Sequence, residues 1–418
     1  MHFTLHKSKI VNRQSKITIT GSKSESNRLL LLQALYPKLK LENVSNSDDS
    51  VLMEKALNSS SNIIDIHHAG TAMRFLTAYF SIQEDREIML TGSKRMKERP
   101  IKILVEALQD LGADISYIEN QGYPPIKIKG KKLTKSKVSL KANVSSQYIS
   151  ALLLIASKLE NGLELSLEGE ITSVPYIKMT LSLLNEIGIE TSFNGNTITV
   201  KPSTKNHQPK TLVVESDWSS ASYYFSIAAI SEVGTEITLS SYKENSLQGD
   251  SDLVNIYKHF GVTSTFKANS ITLKKESNAS TRFDYNLVNA PDIAQTIAVT
   301  CFALGITCDL IGLHTLKIKE TDRLVALKTE IEKLGGKVEI TDKSLHLKSN
   351  TLFLQEANSP TSEGLGEAVA TYNDHRMAMA FAPLALKTPI IIEDADVVSK
   401  SYPTFWDDLK SIGFQITK

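Results

Sequence analysis

Cysteine is almost missing from this 418-residue chain: Cys301 and Cys308 are the only two, both in an apolar stretch. The nearest histidine, His314, stands alone, so thiol-metal and redox roles are set aside, and a buried, reduced pair in the cytoplasm is expected. Long apolar runs are missing too. None approaches the length of a membrane span, and Met1-His2-Phe3-Thr4-Leu5-His6-Lys7 has no apolar core of signal-peptide length, so a cytoplasmic protein is expected. Charge of one sign is not in excess: the net charge is +1, which gives no global attraction to nucleic acid or a membrane surface. His67-His68 has no third metal-type neighbour beyond Asp65, so this pair is expected to lie at the surface and not to hold a metal. What remains is an ordinary globular composition, 41% apolar and 22% charged. The length exceeds one ordinary core, which favours two domains.

The most informative positive feature is a long-period repeat. Amphipathic stretches end in an apolar residue followed by glycine at Leu111-Gly112, Ile187-Gly188, Phe260-Gly261, Leu334-Gly335 and Ile412-Gly413, spaced 73 to 78 residues apart. Leu or Ile stands three positions before the last apolar residue in four cases, and Tyr257 in the other. This is the pattern of a helix closing on a left-handed glycine, and a short extended run follows each stop. A period this long marks a duplicated supersecondary unit.

A second feature keeps the same phase. Polar clusters open into runs rich in Ala, Leu, Ile and Met: Lys23-Ser24-Glu25-Ser26-Asn27-Arg28, Ala69-Gly70-Thr71, Ser145-Ser146-Gln147, Asp217-Trp218-Ser219-Ser220, Pro291-Asp292 and Asn373-Asp374-His375-Arg376. Each reads as the capped start of a helix apolar on all sides, hence buried. For any one cluster an ordinary cap is a sufficient account. Six in phase, with Lys23, Arg28, Arg74 and Arg376 among them, point positive helix ends and cations at an anion.

Each unit reads as strand, buried helix, strand, amphipathic helix, glycine stop and strand pair. Five units are complete, and a shortened sixth runs from Ser24 to about Leu57. Three units fall on each side of the breaker-rich stretch Lys201 to Lys210. The expected domains are 1–19 with 217–418, and 20–216, with hinges near 20 and 216; the opening strand, Ile17 to Thr20, could cross back to the second half. Two such globules facing each other would leave a closable cleft.

Among titratable groups, Lys319-Glu320-Thr321-Asp322-Arg323 introduces a helix with Leu324, Leu327, Ile331 and Leu334 on its apolar face. The spacing lets Lys319, Glu320 and Arg323 share one edge of the helix start. This suits either a surface ion-pair helix or proton transfer beside an anion. Asp292, after Pro291, is either a helix cap or a base for a substrate hydroxyl.

With these motifs in order, the chain resembles the 5-enolpyruvylshikimate-3-phosphate synthase family over essentially its whole length. The resemblance rests on Gly21-Ser22-Lys23-Ser24 with Asn27-Arg28, Ala69-Gly70-Thr71-Ala72-Met73-Arg74, Arg95-Met96-Lys97-Glu98-Arg99-Pro100, Ser145-Ser146-Gln147, Pro175-Tyr176, Gln248-Gly249-Asp250, Lys319 to Arg323, and Tyr372-Asn373-Asp374-His375-Arg376-Met377. It implies an α/β fold: a two-domain inside-out α/β barrel of six βαβαββ repeats, three per domain, with the active-site cleft between them. It also implies a monomer that moves the enolpyruvyl group of phosphoenolpyruvate onto the 5-hydroxyl of shikimate 3-phosphate without metal or cofactor. By motif position, shikimate 3-phosphate would meet Lys23, Ser24, Arg28, Ser145, Ser146, Gln147, Ser173, Tyr176, Asp292 and Lys319. Phosphoenolpyruvate would meet Lys23, Gly70, Arg99, Gln147, Arg323, His375, Arg376 and Lys400. Asp292 would take the hydroxyl proton, and Glu320 or Lys23 would serve the methylene carbon, leaving a tetrahedral ketal that expels phosphate. Gly70 would leave room for glyphosate.

The chain departs from the family pattern at Thr20 and Phe75, where proline is usual, and at His68 and Thr315, where asparagine is usual. None of these removes a charged catalytic group. The sister UDP-N-acetylglucosamine enolpyruvyl transferase matches less well, having asparagine where Ser24 stands and a loop cysteine as acid.

Overall fold

The computed structural model describes residues 1–10, 14–141, 145–169, 171, 174–203, 208–348 and 367–418. Two compact units divide the chain: Met1–Thr20 with Ser216–Lys418, and Gly21–Glu215. Each has its own continuous apolar core.

One strand order is built repeatedly. In the Gly21–Glu215 unit, Ile63–Asp65 pairs parallel to Glu87–Thr91, and Ile126–Lys129 runs antiparallel between Glu87–Thr91 and Asp114–Tyr117. The parallel pair needs a crossover, which the buried helix Gly70–Ser81 supplies. The same arrangement recurs with Lys137–Lys141, Leu163–Glu168, Thr197–Val200 and Thr191–Asn194. In the other unit it recurs with Arg282–Asn286, Thr307–Ile311, Ser344–Lys348 and Lys337–Ile340. Repeated βαβαββ units are therefore the plan of the fold, as the glycine spacing indicated.

Three repeats borrow strands from distant sequence. Gln14–Ile17 pairs parallel to Glu236–Ser240, so the opening strand does join the second half, three residues earlier than the Ile17–Thr20 expected. Phe3–Leu5 completes the last sheet between Ile390–Ile392 and Ile416–Thr417. Lys210–Val213 pairs parallel to Leu39–Glu42 and closes a sheet of two strands. That small sheet belongs to the shortened first unit, the one without a glycine stop.

The six helices expected to be buried are so: Lys23–Leu35, Gly70–Ser81, Ser146–Ala156, Trp218–Ile230, Ala294–Leu304 and His375–Phe381. Their few polar side chains bond across helices. Ser222 Oγ lies 2.9 Å from Thr296 Oγ1, and Thr300 Oγ1 donates to Ser226 Oγ at 2.8 Å. Pairing of this kind lets hydroxyls sit in an apolar interior without the desolvation cost of an unmet donor. Cys301 and Cys308 are free thiols, both buried.

All five glycine stops have positive φ, from +75° at Gly261 to +114° at Gly413. The Phe260 stop ends in a tight 3-10 turn, Tyr257–Phe260, after a four-residue helix Leu253–Ile256, not in a full amphipathic helix. The stops differ in one testable respect. A Cβ at Gly261 would come within 2.0 Å of the Ser277 carbonyl oxygen, whereas one at Gly112 meets nothing within 4 Å. Gly112→Ala is therefore expected to cost only the left-handed backbone penalty, about 1 kcal/mol. Gly261→Ala should cost about 1–3 kcal/mol more. Chemical denaturation of the two variants measures the difference; equal costs would refute it.

Candidate active site

The candidate residues form two clusters, one in each unit. In Gly21–Glu215, Ser22 caps the first buried helix by accepting from the Glu25 N–H. That puts Lys23 at the helix start, its Nζ 3.8 Å from Asp49 Oδ1. Arg28 lies deeper, donating to Thr180 Oγ1 at 2.8 Å, Ser150 Oγ at 2.9 Å and the Ser24 carbonyl at 2.7 Å. Its guanidinium lies over the rings of Phe75 and Tyr176, 5.4 and 5.9 Å from their centroids. Burial lowers Arg28 to about 10, so it stays cationic at neutral pH. Phe75, one of the departures from the family pattern, thus serves as a platform for this cation.

Gly70 opens its helix behind Ala69, which offers no side-chain cap. The Arg99 guanidinium lies against that opening: a Cβ at position 70 would stand 2.4 Å from Arg99 Nη1. Arg74 supports the arrangement from below, donating to the Gly70 carbonyl and to the Pro100 carbonyl, each at 3.1 Å. Tyr148 Oη donates to the same Pro100 oxygen at 2.6 Å. Gln147 Nε2 reaches Thr71 Oγ1 at 3.2 Å, which brings Gln147 to the Gly70 helix. Ser145 caps the next helix and Ser146 is buried at its first position. Tyr176 sits in the first turn of Val174–Glu186. Ser173 lies outside the described residues. His68 Nε2 is 3.8 Å from Asp48 Oδ2 and its Nδ1 is 2.9 Å from His67 Nδ1.

In the other unit a buried guanidinium collects three carboxylates. Arg323 is 1% exposed. Its Nε donates to Asp374 Oδ2 at 2.7 Å, Nη1 to Asp292 Oδ1 at 2.9 Å and Nη2 to Glu320 Oε2 at 2.9 Å. Lys319 Nζ adds a contact to Asp292 at 3.2 Å. Arg376 Nη1 donates to the Asp292 carbonyl at 3.1 Å, while Nη2 reaches Ser219 Oγ at 3.2 Å and lies 3.5 Å from Asp292 Oδ2. Lys400 Nζ donates to the Asn373 carbonyl at 2.6 Å and to Asn373 Oδ1 at 2.7 Å. His375 is buried at the first position of its helix.

Two readings from sequence change here. Lys319, Glu320 and Arg323 do meet, but not along one helix edge: the helix begins at Arg323, capped by Asp322, and Lys319 and Glu320 precede it in the turn after His314–Ile318. Asp292 is not a cap. It lies in the 3-10 turn Pro291–Ile293, and neither that turn nor the following helix has a side-chain cap. Its carboxylate is free to face cations. Burial alone would raise its pKa, yet Lys319, Arg376 and Arg323 together hold it well below the usual carboxylate range. Arg323 and Arg376 shift the other way, above their usual value, because the surrounding carboxylates outweigh burial.

Sequence reasoning missed Asp374 and Asp250 as site residues. Asp374 is fully buried, accepts the Arg376 N–H at 2.8 Å and takes Arg323 Nε, so it aligns both arginines. The signal is present in the Asn373-Asp374-His375-Arg376 cluster, which reads both as a helix start and as part of the Tyr372 to Met377 motif, without a site role for Asp374. Asp250 accepts from Ser219 Oγ, the same hydroxyl that Arg376 reaches. The Thr315 hydroxyl is buried with no hydrogen-bond partner among the described residues.

The sequence pattern of the family described as EPSP synthase (3-phosphoshikimate 1-carboxyvinyltransferase) matches residues 38–409. A 3-phosphoshikimate 1-carboxyvinyltransferase of Bacteroides fragilis is 46% identical over 406 residues, 96% of each chain. One of Haemophilus influenzae is 34% identical over 430 residues, again 96% of each. Among solved structures, an EPSP synthase from Acinetobacter baumannii superposes with a TM-score of 0.79 at 19% identity, covering all of both chains. The enolpyruvyl transferase NikO from Streptomyces tendae gives 0.71 at 12% identity, covering 100% of this chain and 98% of that one. At these identities the structural likeness bears on the fold alone.

The electrostatics make a prediction about stability. Burial, with Asp292 as a like charge, raises Asp250 from 3.8 to about 6. Below pH about 4 the group is protonated in both folded and unfolded chains and costs nothing. Between about 4 and 6 only the unfolded chain ionises, so wild type should lose stability relative to Asp250→Asn, by roughly 2–3 kcal/mol in all, with no further change above about 6. Thermal unfolding of both proteins from pH 4 to 8 tests this; parallel curves would refute it.

Proposed function

The chain belongs to the EPSP synthase (3-phosphoshikimate 1-carboxyvinyltransferase) family, and from that premise we propose that it joins the enolpyruvyl group of phosphoenolpyruvate to the 5-hydroxyl of shikimate 3-phosphate and releases phosphate. The observation that carries the chemistry is Asp292 held by Lys319, Arg323 and Arg376. A carboxylate beside cations is arranged for proton transfer next to an anionic substrate.

Each substrate draws on residues of both clusters. Lys23, Ser24, Arg28, Ser145, Ser146, Gln147, Ser173 and Tyr176, with Lys319 and Asp292, bind shikimate 3-phosphate. Gly70, Arg99, Gln147, Lys23, Arg323, His375, Arg376 and Lys400 bind phosphoenolpyruvate, where planar guanidinium groups match carboxylate and phosphate oxygens. Asp292 accepts the hydroxyl proton as the new C–O bond forms at C2 of phosphoenolpyruvate, and Glu320 or Lys23 delivers a proton to C3. The resulting ketal loses a proton from the new methyl group and expels phosphate. Held by three cations, Asp292 is a weak base; anionic substrates that draw Lys319 and Arg376 toward themselves relieve that grip and raise its basicity. Arg323 directs four of its N–H groups at carboxylates, so its larger part is to fix Asp292 and Glu320 relative to each other. A cytoplasmic monomer is the setting we propose, and two buried free thiols suit a reducing compartment.

Phosphate release from phosphoenolpyruvate tests this reading. Turnover is expected with shikimate 3-phosphate and none with UDP-N-acetylglucosamine as acceptor. Asp292→Ala should lose about 10²–10⁴-fold. Turnover with the sugar nucleotide, or full activity in the variant, would overturn the assignment.

Gly70 yields a further expectation. A methyl group there must displace the Arg99 guanidinium. Gly70→Ala should therefore raise the glyphosate inhibition constant about tenfold or more, with a smaller rise in the KM for phosphoenolpyruvate, since steric intrusion of one methyl is worth roughly 1–3 kcal/mol. Equal inhibition constants would refute it.

A further inference from the structure

Glu330 is a fully buried carboxylate that the reaction above does not use. It lies on the Arg323–Lys333 helix, two turns beyond Arg323. Its oxygens accept from Tyr372 Oη at 2.5 Å, from the Ala370 N–H at 3.2 Å, and from Lys333 Nζ at 2.8 and 2.9 Å. A carboxylate so committed has no capacity left for a substrate; what it holds is a segment of chain.

That segment is unusual. Tyr372 and Asn373 are consecutive non-glycine residues with φ of +54° and +57°, a left-handed conformation that side chains disfavour and that persists only where surrounding contacts impose it. One helix supplies the contacts on both sides. Glu330 grips Ala370 just before the turn and the Tyr372 hydroxyl within it, and Arg323 grips Asp374 at its end at 2.7 Å. The Asp374 N–H closes the turn on the Thr371 carbonyl at 2.8 Å. The left-handed geometry presents both the carbonyl and the side-chain oxygen of Asn373 to Lys400, and places Asp374 to receive the Arg376 N–H.

We propose that Glu330 and Tyr372 are positioning residues for phosphoenolpyruvate, holding the 370–374 turn in the form that aims Lys400 and Arg376. The inference rests on the proposed function, which makes those two cations ligands of phosphoenolpyruvate. It predicts a selective effect, because Lys319 and the contacts to shikimate 3-phosphate from the Gly21–Glu215 unit do not pass through this turn, and Asp292 meets it only indirectly, through Arg323 and Arg376.

The test is steady-state kinetics with each substrate varied separately, on wild type, Tyr372→Phe, Glu330→Gln and Glu330→Ala, alongside thermal unfolding. Tyr372→Phe removes one hydroxyl from a partly exposed ring, so it keeps the test open should Glu330→Ala not fold. The expected result is a KM for phosphoenolpyruvate raised about tenfold in Tyr372→Phe, while that for shikimate 3-phosphate changes less than about twofold, since small misplacements of a positioning contact carry large kinetic penalties. Glu330→Gln, which still offers an acceptor, should fall between wild type and Glu330→Ala. An unchanged KM for phosphoenolpyruvate with only a lowered melting temperature would overturn the positioning role and leave the reaction standing. A wild-type protein that did not turn over these substrates at all would instead sink the reaction, and this role with it.

Discussion

The buried guanidinium of Arg323 is the interaction on which the carboxylate cluster of the Ser216–Lys418 part depends. Burying a lone cation costs several kcal/mol, and losing one partner of a buried pair costs about 3–5 kcal/mol. Arg323 therefore cannot sit where it does unless Asp292, Glu320 and Asp374 converge on it. Those three carboxylates come from three chain segments far apart in sequence. One side chain thus fixes the turn before the Ala294–Leu304 helix, the start of its own helix and the start of the His375–Phe381 helix in a single arrangement. Its charge adds to those of Lys319 and Arg376 in holding Asp292 ionised.

The other unit uses cations differently. Arg28 is also deeply buried, and its donors go to hydroxyls and to the Ser24 and Tyr176 carbonyls, with two aromatic rings beside the guanidinium. Hydrogen bonds to neutral acceptors satisfy its donors without cancelling its charge, and its pKa is lowered because burial outweighs the opposing pull of Tyr176 and Glu25. Arg74 follows the same design, spending its donors on the Gly70 and Pro100 carbonyls. Positive charge kept in this way remains available to an anion, which is the property that substrates carrying phosphate and carboxylate groups demand.

Much of this was legible beforehand, and the reasons are local. A helix that must stop and turn back into a strand needs a left-handed residue, so Gly112, Gly188, Gly261, Gly335 and Gly413 announce the repeat directly. Helices apolar on every face can only be buried, which placed Ser146–Ala156 and Ala294–Leu304 in the cores. Where the reading slipped, the deciding contacts were distant. The two-stranded sheet of the first repeat is closed by Lys210–Val213, some 170 residues away. The Tyr257–Phe260 stop tightened into a 3-10 turn although its composition resembled that of the other stops. From sequence Asp292 is equally a helix cap or a base, because Pro-Asp is a common way to open a helix. Nothing in its neighbours states that Lys319, Arg323 and Arg376 will surround it.

The sequence by itself determined the repeating unit, its six buried helices and the residue types gathered at their starts, because periodicity, glycine stops and capping are set by neighbours within a few positions. Only the tertiary structure decided what those residues do to one another. Asp292 became an ionised carboxylate, Asp374 an aligner of two arginines, and Glu330 the anchor of a strained turn. Each outcome depends on charges brought within about 3 Å across dozens of residues, where burial and Coulomb attraction are strong and no local pattern records them.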